Sequence, residues 1–264
     1  DVDPKNENPE LTTSEPYVMG SHATGSGAWC SGPEDVSPPE YFWGYNRMMT
    51  IEGLFGAGDA VGGTPHAFSS GSFTEGRLAA KAACRYIDDG KAEGIVISDK
   101  RINELKEEIF KPMEHYKLYR NEIVAGDVNP HYINPRQGLD RLQKLMDEYC
   151  GGANVNYMTN DKLLSIGLKK LKIMEEDLEK LAAKDFHELL RAWELKHRHR
   201  TSECVTQHTM FRKETRWPGY YYRGDAMKLD DENWHVLTVS RRDPESGEYT
   251  MEKAPVYHLV KEGE

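Results

Sequence analysis

The residues best suited to chemistry lie in one glycine-rich run in the first third of the chain. An apolar stretch from Thr50 leads into glycines and ends at an acid, Asp59, after which a loop of Gly and Ser opens a helical pattern at Ser72. Glycine lets a backbone approach a flat cofactor closely, and a helix N-terminus favours an anionic group. The run therefore predicts a cofactor-binding segment with these contact residues: Gly58, Asp59, Ser69, Ser70 and Ser72.

The kind of cofactor depends on the whole of this run. It is not the dinucleotide fingerprint Gly-x-Gly-x-x-Gly, because Val61 stands in the last position. Taken alone, Gly58-Asp59 after a strand fits an ordinary turn. Residues 50–72 together favour a flavin, because the acid can accept hydrogen bonds from ribityl or sugar hydroxyls. The start of the helix can face a phosphate or the N1–O2 edge of the reduced ring.

Two predicted elements position the run. Residues Met48 to Ala57 have strand character, and from Ser72 to Asp88 the spacing is helical. We expect one side of that helix, lined mostly by small residues, to pack tightly against a sheet, and Gly90 to end the helix. That side consists of Phe73, Gly76, Ala80, Ala83 and Ile87.

The rest of the chain is mainly helical in pattern. Apolar residues recur at helical spacing in four stretches, which we expect to be helices. They are Ile102–Ile109, Leu139–Tyr149 (ended by Gly151-Gly152), Leu164–Leu181 and the stretch that begins at Phe186. Past Phe211 the pattern changes to a turn-rich, aromatic tail with short strands.

Composition and charge exclude several functions. The 264 residues carry a net charge of −10, and residues 11–76 hold seven acids against one base, Arg47. This balance argues against nucleic-acid binding, which needs a basic face. No uncharged stretch is apolar enough to cross a bilayer, so membrane contact would be at most indirect. Because the chain starts at Asp1, without a signal peptide and with Met19 as its first methionine, we expect a piece of a longer protein.

The cysteines and histidines predict no metal site. The four cysteines are widely scattered and form no Cys-x-x-Cys pair, which is typical of reduced thiols in the cytoplasm. Ligand types do occur around Lys196-His197-Arg198-His199-Arg200, with Cys204 and His208 nearby. However, His197 and His199 fall on different faces of a helix, so a basic helix that faces solvent or a partner is favoured.

Long motifs connect the chain to a known superfamily. The glycine-rich run resembles the second flavin-binding segment of the fumarate reductase and succinate dehydrogenase flavoproteins. The tail is similar to their Arg-x-Glu-Ser-Arg, Arg-x-Asp and Asp-Asp-x-Asn-Trp signature, here Arg212–Arg216, Arg223–Asp225 and Asp230–Trp234. Within the superfamily, residues 14–22 and 58–72 are most similar to the alpha subunits of dissimilatory adenylylsulfate reductases.

Two differences separate the chain from the dicarboxylate enzymes of that superfamily. Fumarate reductases have a motif similar to His-Tyr-x-Met-Gly-Gly, and this chain has Pro16 in place of its histidine. They also have Asn-Arg in the loop before the helix, where this chain has His66-Ala67. Both differences remove groups that would bind a C4 dicarboxylate. A dicarboxylate oxidoreductase, such as fumarate reductase, succinate dehydrogenase or aspartate oxidase, is therefore the alternative. A non-catalytic module that docks an iron–sulfur partner is a second alternative.

The resemblance implies a fold and its domain organisation. The expected fold is an α+β fragment, in which the C-terminal part of an FAD-binding α/β domain is followed by a helical domain and an irregular, aromatic-rich tail. Residues 1–45 would return from a capping or substrate region, 46–92 would be the second FAD-binding segment, 93–211 the helical domain and 212–264 the tail.

The resemblance also implies a reaction, the reversible reduction of adenylyl sulfate to sulfite and AMP by non-covalent FAD. Electrons would come from a beta subunit that carries two four-iron–four-sulfur clusters. His66 is the expected catalytic group, in contact with sulfate or sulfite, and Arg216 is a second candidate for the substrate. Negative charge on the reacting oxygens requires further cations. Because Arg47 is the sole base in residues 11–76, we expect those cations in sequence outside this chain.

The tail allows further expectations. Arg212, Glu214 and Arg216 are expected to form a buried ion network that holds the helical domain onto the flavin domain. The aromatic run Trp217–Tyr222 fits either a core or a surface for the beta subunit, because Tyr and Trp are enriched at interfaces.

Overall fold

The structure, a computed structural model, describes residues 26–62, 69–94, 96–124, 129–216 and 221–256. The expectations that concern residues 14–22, His66 and Trp217–Tyr220 lie outside the described residues. The described residues divide into two units, the first ending at Ile97 and the second beginning at Ser98.

Isolated β-bridges connect the chain segments of the first unit. Ala28 pairs with Val61 in parallel, and Cys30 pairs with Met49 in the antiparallel direction. Two 3-10 turns, Pro39–Tyr41 and Gly58–Ala60, and one long helix, α1 (Ser69–Asp88), complete the described part of this unit.

The predicted strand from Met48 to Ala57 is wrong, because the chain reverses inside it. The N–H of Leu54 donates to the carbonyl of Ile51 at 3.1 Å, which brings Met48 and Phe55 opposite each other as an antiparallel bridge. Gly53 takes φ +78°, as the third residue of a type II turn requires. Gly53, which lies inside the predicted strand, forms a tight turn instead.

Helix α1 forms and ends as predicted, but its buried side is not the predicted one. Phe73 is 81% exposed and Ile87 60% exposed. The buried residues lie on the neighbouring side, namely Glu75, Ala79, Ala82 and Tyr86. Tyr86 packs edge-on against Phe55, with ring centroids 5.9 Å apart, and Glu75 forms an ion pair. Contacts that are distant in sequence therefore set the orientation of this helix, and the local apolar pattern does not.

The second unit contains the four predicted helices. They are α2 (Asp99–Tyr119), α3 (Pro135–Tyr149), α4 (Asp161–Leu178) and α5 (Phe186–Phe211). Their N-termini carry the side-chain caps that favour helix initiation. These caps are Ser98, Asn134, Asn160 and Asp185, and Asn134 forms a full capping box with Gln137. Leu181 lies beyond the end of α4, so that predicted helix is shorter than expected.

The core of the second unit lies among α3, α4 and α5. Eight buried side chains form one cluster: Leu142, Leu145, Leu171, Met174, Leu178, Leu181, Ala192 and Leu195. Gly138 lets α3 approach α5, because a Cβ at that position would lie 2.4 Å from the Leu195 side chain.

Short strands complete the second unit. Strand β1 (Met158–Thr159) pairs in parallel with β2 (Tyr222–Arg223). After a short helix, α6 (Asp231–Trp234), strands β3 (Val236–Arg242) and β4 (Tyr249–Pro255) form an antiparallel hairpin in which Val236 pairs with Pro255. The mixture of helices and strands agrees with the coarse fold prediction. Across the described ranges, no helix combines the length and the apolar character that crossing a bilayer requires.

Candidate functional site

The turn at Gly58 is the best-defined part of the predicted site. Gly58 is buried with φ +65°, and a Cβ there would lie 3.2 Å from the Ser72 Oγ on α1. A side chain at this position would be strained and would push the turn away from the helix. Asp59 follows with an exposed carboxylate, which makes no hydrogen bond or ion pair to another described residue. The turn thus presents an exposed acid next to the first turns of a helix.

A second segment lies directly against this turn. The N–H of Ala28 donates to the carbonyl of Ala60 at 2.9 Å, and the N–H of Gly62 donates to the carbonyl of Ala28 at 3.0 Å. A Cβ at Gly27 would lie 2.5 Å from the backbone carbon of Val61, closer than real side chains permit. Two stretches of backbone therefore meet without side chains between them.

The start of α1 contains the three predicted serines. Ser70 is exposed, and its carbonyl accepts a hydrogen bond from the Thr74 hydroxyl at 2.9 Å. Ser72 touches the Gly58 turn, whereas only the backbone of Ser69 is described. Gly58, Asp59, Ser70 and Ser72 thus lie at one end of α1. The turn at Gly58, the exposed carboxylate of Asp59 and the start of α1 together fit the sugar or phosphate part of a flavin nucleotide.

A buried ion pair that the sequence analysis missed lies beside this site. The Arg47 Nη2 is 2.8 Å from the Glu75 Oε1, and the two side chains are 18% and 9% exposed. Arg47 has φ +63°, which is uncommon for a residue with a side chain. The signal in the sequence was the isolation of Arg47 as the sole base in an acidic segment. Its partner could not be identified, because Glu75 is 28 residues away on a helix whose orientation was predicted wrongly.

Arg216, the second candidate for the substrate, is engaged in the expected ion network. Its Nε is 2.6 Å from the Glu214 Oε1, and its Nη2 is 2.9 Å from the Asp231 Oδ1. Arg212 bonds the same carboxylate at 2.6 Å and also donates to the carbonyls of Trp234 and Val236. The network therefore connects the end of α5 to α6 and β3. Its described partners all belong to the second unit, so the expectation that it holds the helical domain onto the flavin domain stays a prediction.

The network changes the acidity of Glu214. Burial alone would raise its pKa, but hydrogen bonds from Arg216, the backbone of Asp230 and Arg212 outweigh that effect, and the pKa is lowered. Glu214 is thus ionised at neutral pH although its side chain is fully buried. This arrangement is typical of a structural ion network, in which each charge is compensated.

Two histidines of α5, His199 and His208, have structural partners. His199 is buried and its Nε2 donates to the carbonyl of Leu171 at 2.8 Å, so this position is not part of a solvated face. His208 bonds Thr238 and Ser240 at 3.1 and 2.9 Å, and burial, with the charge of Arg212, lowers its pKa. Within the part of the chain that the structure describes, no group of three or more His, Cys, Asp or Glu is arranged to hold a metal ion.

The end of the aromatic run, at Tyr221, is partly buried against the rest of the second unit. The Tyr221 hydroxyl donates to the carbonyl of Cys150 at 2.8 Å, and burial raises the pKa of this tyrosine. Its ring lies against Gly151, where a Cβ would be 2.5 Å from the ring. Of the two alternatives for this run, the core interpretation therefore holds at Tyr221.

Arg223 has a structural role that the sequence analysis did not assign. Its side chain is only 2% exposed. It donates to the carbonyls of Thr209 and Arg212 at the end of α5, and its Nη2 is 2.6 Å from the Asp161 carboxylate at the start of α4. Asp225 bonds the same guanidinium at 3.1 Å. The Arg-x-Asp motif thus caps one helix and anchors another.

With this geometry in place, comparison with known proteins defines the class. Residues 139–261 match the family model described as the fumarate reductase flavoprotein C-terminal domain, so this part of the chain is similar to the C-terminal domain of that flavoprotein class. The superfamily expected from the motifs is therefore confirmed.

Within that class, the chain is homologous to adenylylsulfate reductase alpha subunits, as its motifs predicted. It is 40% identical over 267 residues to the alpha subunit of adenylylsulfate reductase from Megalodesulfovibrio gigas, a match that covers 97% of this chain. The solved structure of adenylylsulfate reductase from Archaeoglobus fulgidus is 52% identical over 92% of this chain, with a TM-score of 0.86. A structure of adenosine-5-phosphosulfate reductase in complex with sulfite, as a covalent adduct, gives the same identity, coverage and TM-score.

The match is partial with respect to these relatives. The chain spans 40% of the length of the Megalodesulfovibrio gigas subunit and 38% of each of the two solved chains.

Proposed function

We propose that this chain forms part of the catalytic alpha subunit of an adenylylsulfate reductase, which reduces adenylyl sulfate reversibly to sulfite and AMP. The observation that carries the proposal is the 52% identity to a solved adenylylsulfate reductase over 92% of the chain. FAD, when bound without a covalent link, would supply the two-electron chemistry of this reaction.

The residues around Gly58 would bind the nucleotide part of FAD. Gly58 and Ser72 set the distance between the turn and α1, which keeps the backbone free to approach the ligand. The exposed carboxylate of Asp59 would accept hydrogen bonds from hydroxyl groups. Ser69 and Ser70 would lie at the start of α1, where backbone N–H groups and the helix dipole favour a phosphate or another anionic group.

His66 would contact the sulfate or sulfite group. It is close in sequence to the start of α1, and an imidazole can donate a hydrogen bond to an oxyanion. The reaction also places negative charge on the departing AMP, so further cations are required, and we propose that they come from sequence outside this chain.

For Arg216, the contacts favour the ion network over the substrate. Both of its terminal partners are carboxylates, Glu214 and Asp231, which already compensate its charge. A substrate role would need the guanidinium to exchange one of these partners for a sulfate or phosphate oxygen, and Asp231 is the more exposed partner.

The partner and the location follow from the same homology. We propose a beta subunit with two four-iron–four-sulfur clusters as the electron donor, because the four cysteines of this chain are all free thiols and are dispersed. Free thiols suit the reducing cytoplasm. We propose no contact with nucleic acid, and contact with a membrane only through other proteins. In this proposal, residues 46–92 are the second FAD-binding segment at the end of an α/β domain, 93–211 the helical domain and 212–264 the tail.

Replacement of Asp59 tests the proposal in the intact alpha–beta enzyme. We expect Asp59→Ala to lose at least half of its FAD on gel filtration, because a hydroxyl acceptor is removed. Asp88→Ala is the matched control, since Asp88 is an exposed acid at the opposite end of the same helix. FAD content is measured from flavin absorbance, and activity as AMP-dependent oxidation of sulfite.

The outcomes separate the alternatives. Fumarate reduction by the intact enzyme, without AMP-dependent sulfite oxidation, would identify a dicarboxylate oxidoreductase. Unchanged FAD content in Asp59→Ala would contradict the role of this residue, and an intact protein without any flavin would favour the non-catalytic docking module.

A further inference from the structure

Arg47 lies where three segments of the first unit meet. Its N–H donates to the carbonyl of Ser31 at 2.8 Å, and its carbonyl accepts from the N–H of Gly56 at 3.0 Å. Its side chain reaches α1, where the Nη2 is 2.8 Å from the Glu75 Oε1. One residue therefore joins three segments that are not adjacent in sequence.

Each of these segments also borders the Gly58 turn. The segment of Ser31 forms backbone hydrogen bonds to the turn and to the residues after it through Ala28. Gly56 leads directly into the turn, and α1 meets it where Ser72 approaches Gly58. The position of the turn relative to α1 therefore depends on segments that Arg47 connects.

The Arg47–Glu75 pair specifies an arrangement and adds little net stability. The two side chains are 18% and 9% exposed, and the Arg47 Nε and the Glu75 Oε2 have no hydrogen-bond partner among the described residues. Apolar side chains of similar size would fill such a site at equal or lower cost, because two charges must be removed from water. Arg47 also takes φ +63°, which disfavours a residue with a side chain. These costs indicate a residue that serves the position of the turn more than the stability of the unit.

We infer that Arg47 is a positioning residue for FAD, which holds the Gly58 turn at the distance from α1 that the nucleotide part of the cofactor requires. This inference rests on the proposed flavin site. Without the ion pair, the backbone hydrogen bonds of Arg47 still join two of the segments. Helix α1 then loses a contact that fixes its separation from the turn, so the site binds FAD less tightly.

The test compares FAD affinity with stability in the intact alpha–beta enzyme after its flavin has been removed. The dissociation constant is measured by titration with FAD. The thermal unfolding midpoint is measured on the flavin-free protein, so that bound ligand does not contribute to it. We expect Arg47→Met to lower the midpoint and to weaken FAD binding about tenfold, because Glu75 stays buried without its partner. Arg47→Lys should retain most of the affinity, because the pair has one close contact, which an ammonium group can also make.

A double variant separates positioning from stability. Arg47→Met combined with Glu75→Met removes both buried charges, so the midpoint should return to the wild-type value or exceed it. The FAD affinity should stay about tenfold low, since the ion pair between α1 and the segment before the turn is gone. Arg77→Met is the matched control, because it removes the same charge from an exposed side chain of α1 and should change neither quantity.

The results distinguish positioning from a purely structural role. Wild-type FAD affinity in the double variant, together with a wild-type midpoint, would show that the pair only stabilises the fold and would overturn the inference. Wild-type affinity in Arg47→Met would also overturn it. If Arg47→Met does not fold, the double variant and Arg47→Lys decide by the same criteria. A wild-type enzyme that binds no FAD would instead reject the proposed function.

Discussion

The two units of this chain are stabilised in different ways. In the second unit, eight apolar side chains from α3, α4, α5 and the residues after α4 form one cluster. In the first unit, backbone segments meet directly at glycines, and a buried ion pair fixes the helix. Side-chain packing can be distributed over many residues, whereas backbone contact depends on a few positions. In the described part of the first unit, a few backbone positions therefore make contacts of the kind that side-chain packing supplies in the second unit.

Equivalent truncations in the two units test this difference most strongly. Met174 is fully buried in the cluster, and Met48 is 5% exposed in the first unit. We expect Met174→Ala to lower the free energy of unfolding by about 4 kcal/mol and Met48→Ala by about 2 kcal/mol, because large-to-small core changes cost more where more neighbours lose contact. Urea unfolding of the purified proteins measures both values. Equal costs would mean that the two units are packed alike.

The ion network of the second unit gives the next largest effect. We expect Glu214→Gln to cost about 3 kcal/mol at pH 7, because it leaves Arg212 and Arg216 without their shared charge. The pKa of Glu214 is lowered in the folded state. Its contribution is therefore present above the unfolded pKa of about 4.3 and is lost as the pH falls through the folded value.

The measurement is the unfolding free energy of wild type and variant at pH 7 and at pH 3.5, where the difference should shrink. Asp231→Asn is the matched control. Asp231 is 61% exposed and should contribute only about 0–1 kcal/mol. A pH-independent cost of Glu214→Gln would show that its hydrogen bonds, and not its charge, stabilise the network.

The smallest effect on stability, but a specific one, is expected at the glycine turn. Gly58→Ala should cost about 1 kcal/mol through its positive φ and should also release flavin, since the added Cβ meets Ser72. Gly90→Ala shares the positive φ, +74°, but its Cβ would meet only the Glu93 side chain at 3.8 Å. Thermal unfolding and flavin absorbance of both variants check this. Equal flavin loss in both would mean that strain alone, and not the contact with α1, governs binding.

Local patterns were sufficient for the helices of the second unit. Leu142, Leu145, Leu171 and Leu178 recur at helical spacing, and the capping residues Asn134 and Asn160 precede them, so α3 and α4 and their buried sides could be predicted from neighbouring residues. In α2 the helix was predicted but its buried side was not, because Ile102, Leu105 and Ile109 are exposed. The end of α4 was missed, since Leu181 joins the same cluster after the helix has ended.

Contacts between distant residues were decisive in the first unit. The orientation of α1 depends on Glu75 and Arg47, which no local periodicity connects. The reversal at Gly53 depends on a single positive φ inside an apolar stretch. For the site, the motif predicted residues between 58 and 72, and the structure places Gly58 close to Ser72, although their role in binding stays a prediction. The role of His66 stays a prediction.

The Arg223 contact also determines where this protein can be divided. Its guanidinium binds carbonyl groups at the end of α5 and a carboxylate at the start of α4, although it follows Phe211, the last residue of α5, by 12 positions. A piece that ended at Phe211 would leave those carbonyls and Asp161 without their donor. The smallest separable helical domain of this chain therefore extends through Asp225, which holds Arg223 in place.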